Sequence, residues 1–468
     1  MIIEPNNISY RDTAARVVKK ESGYYRYIFH EYKAEYDHLM QSGLYEELTK
    51  KGRLIEHKEI EIDTDDPKVY KLLYPTQIPF QSYPFEWSYT QWRKAILAYL
   101  RINHIALKYG MILKDATPYN FYLTGGKAVM FDTSSFMFFK ENDKWIAYRQ
   151  FCEEFLSPVA LMHYNGAEWS KLTMANLRGM PLSFVSKQLP INSWFNLTTL
   201  LHIHLHSKYS GNNESKEIGN KKNKGFTLEK IKSLQKMIFN TISKWERSHQ
   251  FINHWSTYYE NDIESQEYLK DKEVTIRKWL EIIKPKSVLD LGANTGKFSF
   301  IAAEYAERVI GLEGDEKCVD EIEEKITIKN SNVFTLLGNV AKPSPTIGFL
   351  NRGTESIYKR GSSDVVLGLA LVHHLHISNR LSFDQISLIF ASFSNEYLIV
   401  EFIPIADNKV QILIKGKSIN LISYNEAHFI KALSSWFTIK ETISLKDTGR
   451  SLFYLKKKIK IILTNITS

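Results

Sequence analysis

The sequence predicts an α/β protein in two parts: a C-terminal domain around a mostly parallel sheet, and an N-terminal α+β domain joined to it by a helical connector. Three observations carry this. Residues 276–457 alternate short β-branched runs with helical segments, the pattern of βαβ units. Within them a strand runs into the turn Gly292-Ala-Asn-Thr-Gly296, and the following strand ends in Glu313. Residues 1–165 instead mix short β-like runs with one long helical stretch, Tyr89–Tyr109. The chain has 468 residues, 44% hydrophobic and 24% charged, enough for two to four domains and too apolar for a disordered chain.

In chain order, the N-terminal domain (1–165) reads as short strands, a helix near 33–50, strands near 53–60 and 68–74, a hinge-like link Pro79–Trp87, and then the long helix. After that helix comes Leu113-Lys-Asp-Ala-Thr-Pro-Tyr-Asn120, a hairpin turned by Gly125-Gly126, and Asp132. The connector (166–275) reads as helical, with a basic, mobile loop expected at 210–225. Its LHIHLH run puts His202, His204 and His206 on one face of a strand, where zinc could be held, or spreads them around a helix; the flanks favour the helix. The C-terminal domain (276–457) opens with strand 287–291 and is followed by a basic tail, 458–468.

The net charge of +9 is concentrated. Residues 207–250 carry +6 and residues 450–468 carry +5, so the other 405 residues sum to −2. That distribution argues against a duplex-tracking surface and against nucleic acid as a partner. Two distant cysteines, Cys152 and Cys318, exclude a disulfide scaffold and fit a reducing compartment, the cytoplasm. No run is long and apolar enough to span a bilayer.

The glycines of GANTG allow a tight turn whose backbone approaches a ligand at the open end of a parallel sheet, and an acid at the end of the second strand can accept both ribose hydroxyls of an adenosine cofactor. Val288–Gly296 (VLDLGANTG) resembles motif I of class I S-adenosylmethionine-dependent methyltransferases, and the glycine spacing differs from the phosphate-cradling GxGxxG of dinucleotide sites. Later segments continue the likeness: 333–338 as strand three ending at Asn339, 362–375 as strand four with its loop, 396–404 as strand five, and 437–445 with 451–457 as a closing antiparallel pair. The resemblance implies a Rossmann-like, seven-stranded sheet that binds S-adenosyl-L-methionine through Asp290, Gly292, Ala293, Asn294, Gly296, Glu313, Asn339 and Leu369. His373 and His374, after strand four, and Glu401, on strand five, are the candidates for base or acceptor contact; histidine suits the role because small shifts bring its pKa near neutrality. The insert 341–363 is expected on the cofactor side of the sheet, as a lid or a surface excursion.

The DxxxxN spacing of Asp115 and Asn120, followed by Asp132, resembles the catalytic loop and metal-binding acid of protein-kinase-like and aminoglycoside-phosphotransferase-like folds. That likeness implies Asp115 as base and Asn120 and Asp132 as ligands of Mg²⁺ with ATP. The glycine-rich loop is missing and no VAIK-like lysine is evident, Arg26 being the stand-in, so a degenerate, pseudokinase-like domain is the expectation. Segments 78–89, 113–121, 147–164, 201–206 and GANTG together resemble a bacterial family of class I methyltransferases related to the nodulation protein NoeA. The function implied is methyl transfer to a small molecule or glycan, at oxygen. The alternatives are a bifunctional kinase–methyltransferase acting on a glycan, a non-catalytic cofactor-binding scaffold, and methylation of RNA.

Overall fold

A computed structural model describes residues 12–143, 145–211, 227–245, 266–416 and 422–459. The expected loop at 210–225 and the tail from 460 onward lie mostly or wholly outside them. The described residues form two compact units: 12–245 with Thr346–Glu355, and 266–345 with 356–459.

The first unit begins with a four-stranded antiparallel sheet. Its strands are β1 (Ala15–Lys20), β2 (Gly23–Phe29), β3 (His57–Ile60) and β4 (Val69–Pro75), in the order β1-β2-β4-β3. Two helices, Lys33–Gln41 and Leu44–Lys50, separate β2 from β3. The long helix Tyr89–Ala106 starts at a capping box in which the Ser88 N–H donates to Gln91 Oε1 at 2.9 Å and the Gln91 N–H donates to Ser88 Oγ. A 3₁₀ turn carries it to Tyr109, and Gly110, at φ +72°, ends it. Then β5 (Met111–Leu113) pairs with β8 (Phe136–Phe138), and β6 (Phe121–Thr124) forms a hairpin with β7 (Lys127–Met130). Gly125 and Gly126 turn that hairpin with both φ angles positive, as a two-residue loop between twisted strands requires.

The residues read as a separate connector are divided between the two units. Trp87, Trp92, Phe151 and Phe155 share one buried cluster with Ile203, Ile231, Ile238 and Ile242, so the helices up to Lys244 complete the first unit's core. The next helix, Gln266–Ile283, packs Ile276, Trp279 and Leu280 with Val288 and Val309 in the second unit. The pattern of apolar residues marked both as helices; only packing decided which core each one joins.

The second unit holds a seven-stranded sheet: β9 (Ser287–Leu291), β10 (Arg308–Glu313), β11 (Val333–Leu337), β12 (Ser363–Gly368), β13 (Ser394–Phe402), β14 (Phe437–Ser444) and β15 (Ser451–Lys457). Its order is β11-β10-β9-β12-β13-β15-β14, with β9 to β13 parallel and β15 antiparallel to both neighbours. β9, β11 and the body of β12 are buried, which is why they read as continuous apolar runs. Asp364, at the start of β12, accepts the Lys286 and Ser287 N–H groups at 2.9 and 3.1 Å and fixes the register of β12 on β9. Of the insert 341–363, residues 346–355 group with the first unit.

Candidate functional site

In an open parallel sheet, consecutive crossovers that leave a central strand in opposite directions open a crevice at the strands' carboxyl ends. Here the chain leaves β9 toward β10 and β11, then returns to lay β12 on the other side of β9. The crevice is a cleft of about 330 Å³, lined by Gly292 after β9, Glu313 and Asp315 at the end of β10, Asn339 after β11, and Leu369 and His374 after β12.

Local geometry explains why these residues face it. Gly292 turns at φ +74°, and a Cβ there would sit 3.3 Å from Leu371 Cδ1. Its N–H and that of Ala293 both donate to the Leu312 carbonyl, tying the turn to β10. Asn294, itself at φ +49°, donates its N–H to Glu313 Oε2 at 2.7 Å, and the Asp315 N–H donates to Glu313 Oε1 at 2.8 Å. Burial raises the Glu313 pKa, and these backbone donors offset only part of that cost. Asp315 caps the helix Glu316–Lys329 by accepting the Lys317 N–H through Oδ1; its Oδ2 is buried with no partner. Asn339 accepts the Ala341 N–H through Oδ1 at 2.8 Å.

Six of the residues expected around a cofactor or acceptor therefore meet at one cleft: Gly292, Asn294, Glu313, Asn339, Leu369 and His374. The others stand behind its walls. Asp290 is buried on β9, accepts the Ser299 hydroxyl at 2.6 Å, and is pushed up by burial to about 6. Ala293 is buried, and Gly296, at φ +81°, has its Cα against Ile322, where a Cβ would lie 2.9 Å from Cγ1. His373 is fully buried and neither ring nitrogen has a hydrogen-bond partner; burial, then the charges of His374, Arg450, Lys409 and Lys272, hold its pKa well below the usual range. Glu401 is fully buried beside Lys272, and burial, which alone would raise its pKa, is outweighed by Lys272 and Arg450. Sequence reasoning missed nine of the lining residues, Asp315, Ala370, Leu371 and Asn379 among them. Only Asp315 carried a signal, an acid before a helix, and helix capping already accounts for it.

A cofactor that presents hydroxyls and amine hydrogens fits this set of acceptors. Glu313 and Asp315 both line the cleft, and Asp315 keeps one buried oxygen, Oδ2, without a partner.

The constellation in the first unit also assembles, with a different outcome. Asp132 accepts the Ser134 and Ser135 hydroxyls, each at 2.6 Å, and the Asn120 amide at 3.2 Å, and it forms an ion pair with Arg26 from β2. Burial would raise Asp132, yet the guanidinium and hydroxyls pull it down to about 2. Asp115 is shifted upward, by burial first and then by Asp132. The side chain expected to stand in for a nucleotide-binding lysine is thus the counter-ion of the expected metal ligand, and Mg²⁺ would have to displace it. Nothing else in this arrangement supports a Mg²⁺–ATP site. Among the described residues no group of three His, Cys, Asp or Glu is placed to hold a metal ion. The three histidines do not share one face of their helix: His202 meets the Tyr148 hydroxyl at 2.6 Å and His206 stacks on the same ring, while His204 lies between Ser186 and Ser193 on the Trp194 ring.

No protein-family model matches the chain. Over 420 residues, 88% of this chain and 88% of the relative, it is 26% identical to Nodulation protein NoeA of Rhizobium meliloti (strain 1021). Among solved structures, the N-methyltransferase NodS from Bradyrhizobium japonicum WM9 aligns with 41% of this chain and 98% of its own, at 11% identity and a TM-score of 0.32. The magnesium protoporphyrin IX methyltransferase ChlM from Synechocystis PCC 6803, with bound SAH, aligns with 41% of this chain and 84% of its own, at 20% identity and a TM-score of 0.31.

Proposed function

We propose that the chain is an S-adenosylmethionine-dependent methyltransferase whose cofactor site is the cleft between the ends of β9 and β12, and whose acceptor is a small molecule or glycan methylated at oxygen. The observation that carries this is the meeting of Gly292 and Asn294 of the GANTG turn with the Glu313 and Asp315 carboxylates at the switch point of a sheet ordered β11-β10-β9-β12-β13-β15-β14. The likeness to a nodulation protein over most of both chains supports a shared two-unit plan. When bound, the cofactor supplies an electrophilic methyl group. Glu313 and Asp315 would hold its hydroxyl and amine hydrogens, and Asn339 would face its base with its amide N–H₂. Leu369, Leu371 and Leu375 exclude water from the far wall, so that alignment supplies much of the rate, ~7–11 kcal/mol in well-oriented cases. A hydroxyl acceptor must lose its proton, and we assign that role to His374, a histidine that lines the cleft. His373 supports it from behind, its ring centroid 3.9 Å away.

The test is binding of S-adenosylmethionine by calorimetry, followed by transfer of labelled methyl from it into cell-extract fractions. Gly292→Arg is expected to abolish both, because any side chain at φ +74° is strained and meets Leu371. Equal labelling by that variant would misplace the site.

A further inference from the structure

Glu401 was the carboxylate on strand five expected to meet the acceptor, yet it is fully buried and does not line the cleft. Its two oxygens are engaged inside the unit. Oε2 accepts Lys272 Nζ at 2.6 Å and the Ala370 N–H at 2.9 Å; Oε1 accepts the Tyr268 hydroxyl at 2.5 Å and lies 3.7 Å from Arg450 Nη1. Ala370 stands at φ +50°, a left-handed conformation that a residue with a Cβ adopts only at a cost. Its neighbours Leu369 and Leu371 both line the cleft, so the backbone setting at 370 decides where both side chains go. A buried ion pair such as Lys272–Glu401 adds little net stability over apolar residues of the same size, and fixing one arrangement among several is its best-attested use.

We infer that Glu401 is a positioning residue for the cleft: it holds the Leu369–Leu371 wall by accepting the Ala370 N–H, with Lys272 of the helix Gln266–Ile283 as its ion partner. The inference rests on the cofactor reading of the cleft given above. It also couples that helix to the site, since Tyr268 and Lys272 both reach the same carboxylate.

Two double variants isolate the effect. Lys272→Met with Glu401→Gln and Lys272→Met with Glu401→Leu both remove the ion pair, but only the first leaves an oxygen to accept the Ala370 N–H. The glutamine double is expected to bind S-adenosylmethionine within about threefold of the parent. The leucine double should bind at least tenfold more weakly, ~1.4 kcal/mol, while melting within a few degrees of the glutamine double. Adding Ala370→Gly to the leucine double should recover part of the loss, because glycine adopts φ +50° without being held there. Equal affinity in the two doubles, whether both near the parent or both weakened, overturns the inference. Amide hydrogen exchange at residues 370–371 reads the same contact without cofactor: protection should be kept in the glutamine double and lost in the leucine one, and equal protection also overturns it. A parent protein that binds no S-adenosylmethionine sinks the cofactor reading instead, and the exchange result still decides the role of Glu401.

Discussion

Asp132 and Asp290 are both buried aspartates, and their surroundings drive them in opposite directions, to about 2 and about 6. Asp132 has a guanidinium; the partner of Asp290 is a neutral hydroxyl, and burial wins. The two therefore contribute opposite pH dependences. Asp290 holds its proton more tightly folded than unfolded, so its contribution is full below the ordinary pKa of 3.8 and is lost as pH rises through about 6. The difference is worth about 3 kcal/mol at neutral pH. Asp290→Asn should accordingly raise thermal stability at pH 7.5, with the gain shrinking toward pH 4; a gain that is flat across melts at pH 4–8 would contradict the assignment. For Asp132 the contribution is present above 3.8 and is lost as pH falls through about 2. Asp132→Ala leaves Arg26 buried without its counter-ion and should cost about 3–5 kcal/mol in urea unfolding, much of it restored by adding Arg26→Met. If the double variant is no better than the single, the pair is not the reason Asp132 matters.

At the scale of elements, what matters is which end of each strand carries polar residues. The ends of β9, β10, β11 and β12 all contribute to the cleft, and the segments that read as strands in the sequence are the ones that form the sheet. Their pattern was legible because a buried parallel strand has to be apolar on both faces. The glycine turn and Glu313 were legible for the same kind of reason: backbone conformation and hydrogen-bond demand restrict which residues fit. The loop after β12 was legible only in part, since its two adjacent histidines looked alike. The fold separates them, His374 into the cleft and His373 into the core. His374→Ala is expected to lower kcat for a hydroxyl acceptor about 10²–10⁴-fold while cofactor affinity changes little, and to remove the acidic limb of the pH–rate profile. His373→Ala, which leaves a cavity, should lower melting temperature more than it alters that limb. A reversed pattern would exchange their roles.

For the whole molecule, each unit has its own buried core, and cores of that kind can unfold as separate cooperative transitions. Scanning calorimetry should show two. Asp132→Ala should lower one, and S-adenosylmethionine at a hundred times its Kd should raise the other by about 2.7 kcal/mol. Cofactor stabilisation confined to the transition that Asp132→Ala lowers would place the ligand in the wrong unit. No helix among the described residues is long and apolar enough to cross a membrane.

Sequence by itself determined the strands of the seven-stranded sheet, the long helix of the first unit, the glycine turn, the acid after β10, and the hairpin that brings Asn120 near Asp132, because each depends on local demands: alternation, glycine conformations, hairpin turns and caps. Tertiary structure alone decided what those groups face. It placed Arg26 on Asp132 as its counter-ion; it gave the Glu401 carboxylate to Lys272 and the Ala370 N–H; and it distributed the connector's helices between two cores. The physical reason is common to all three. Burial and pairing depend on residues more than a hundred positions apart, Arg26 with Asp132 and Lys272 with Glu401, and no local pattern in a single sequence records such a pairing.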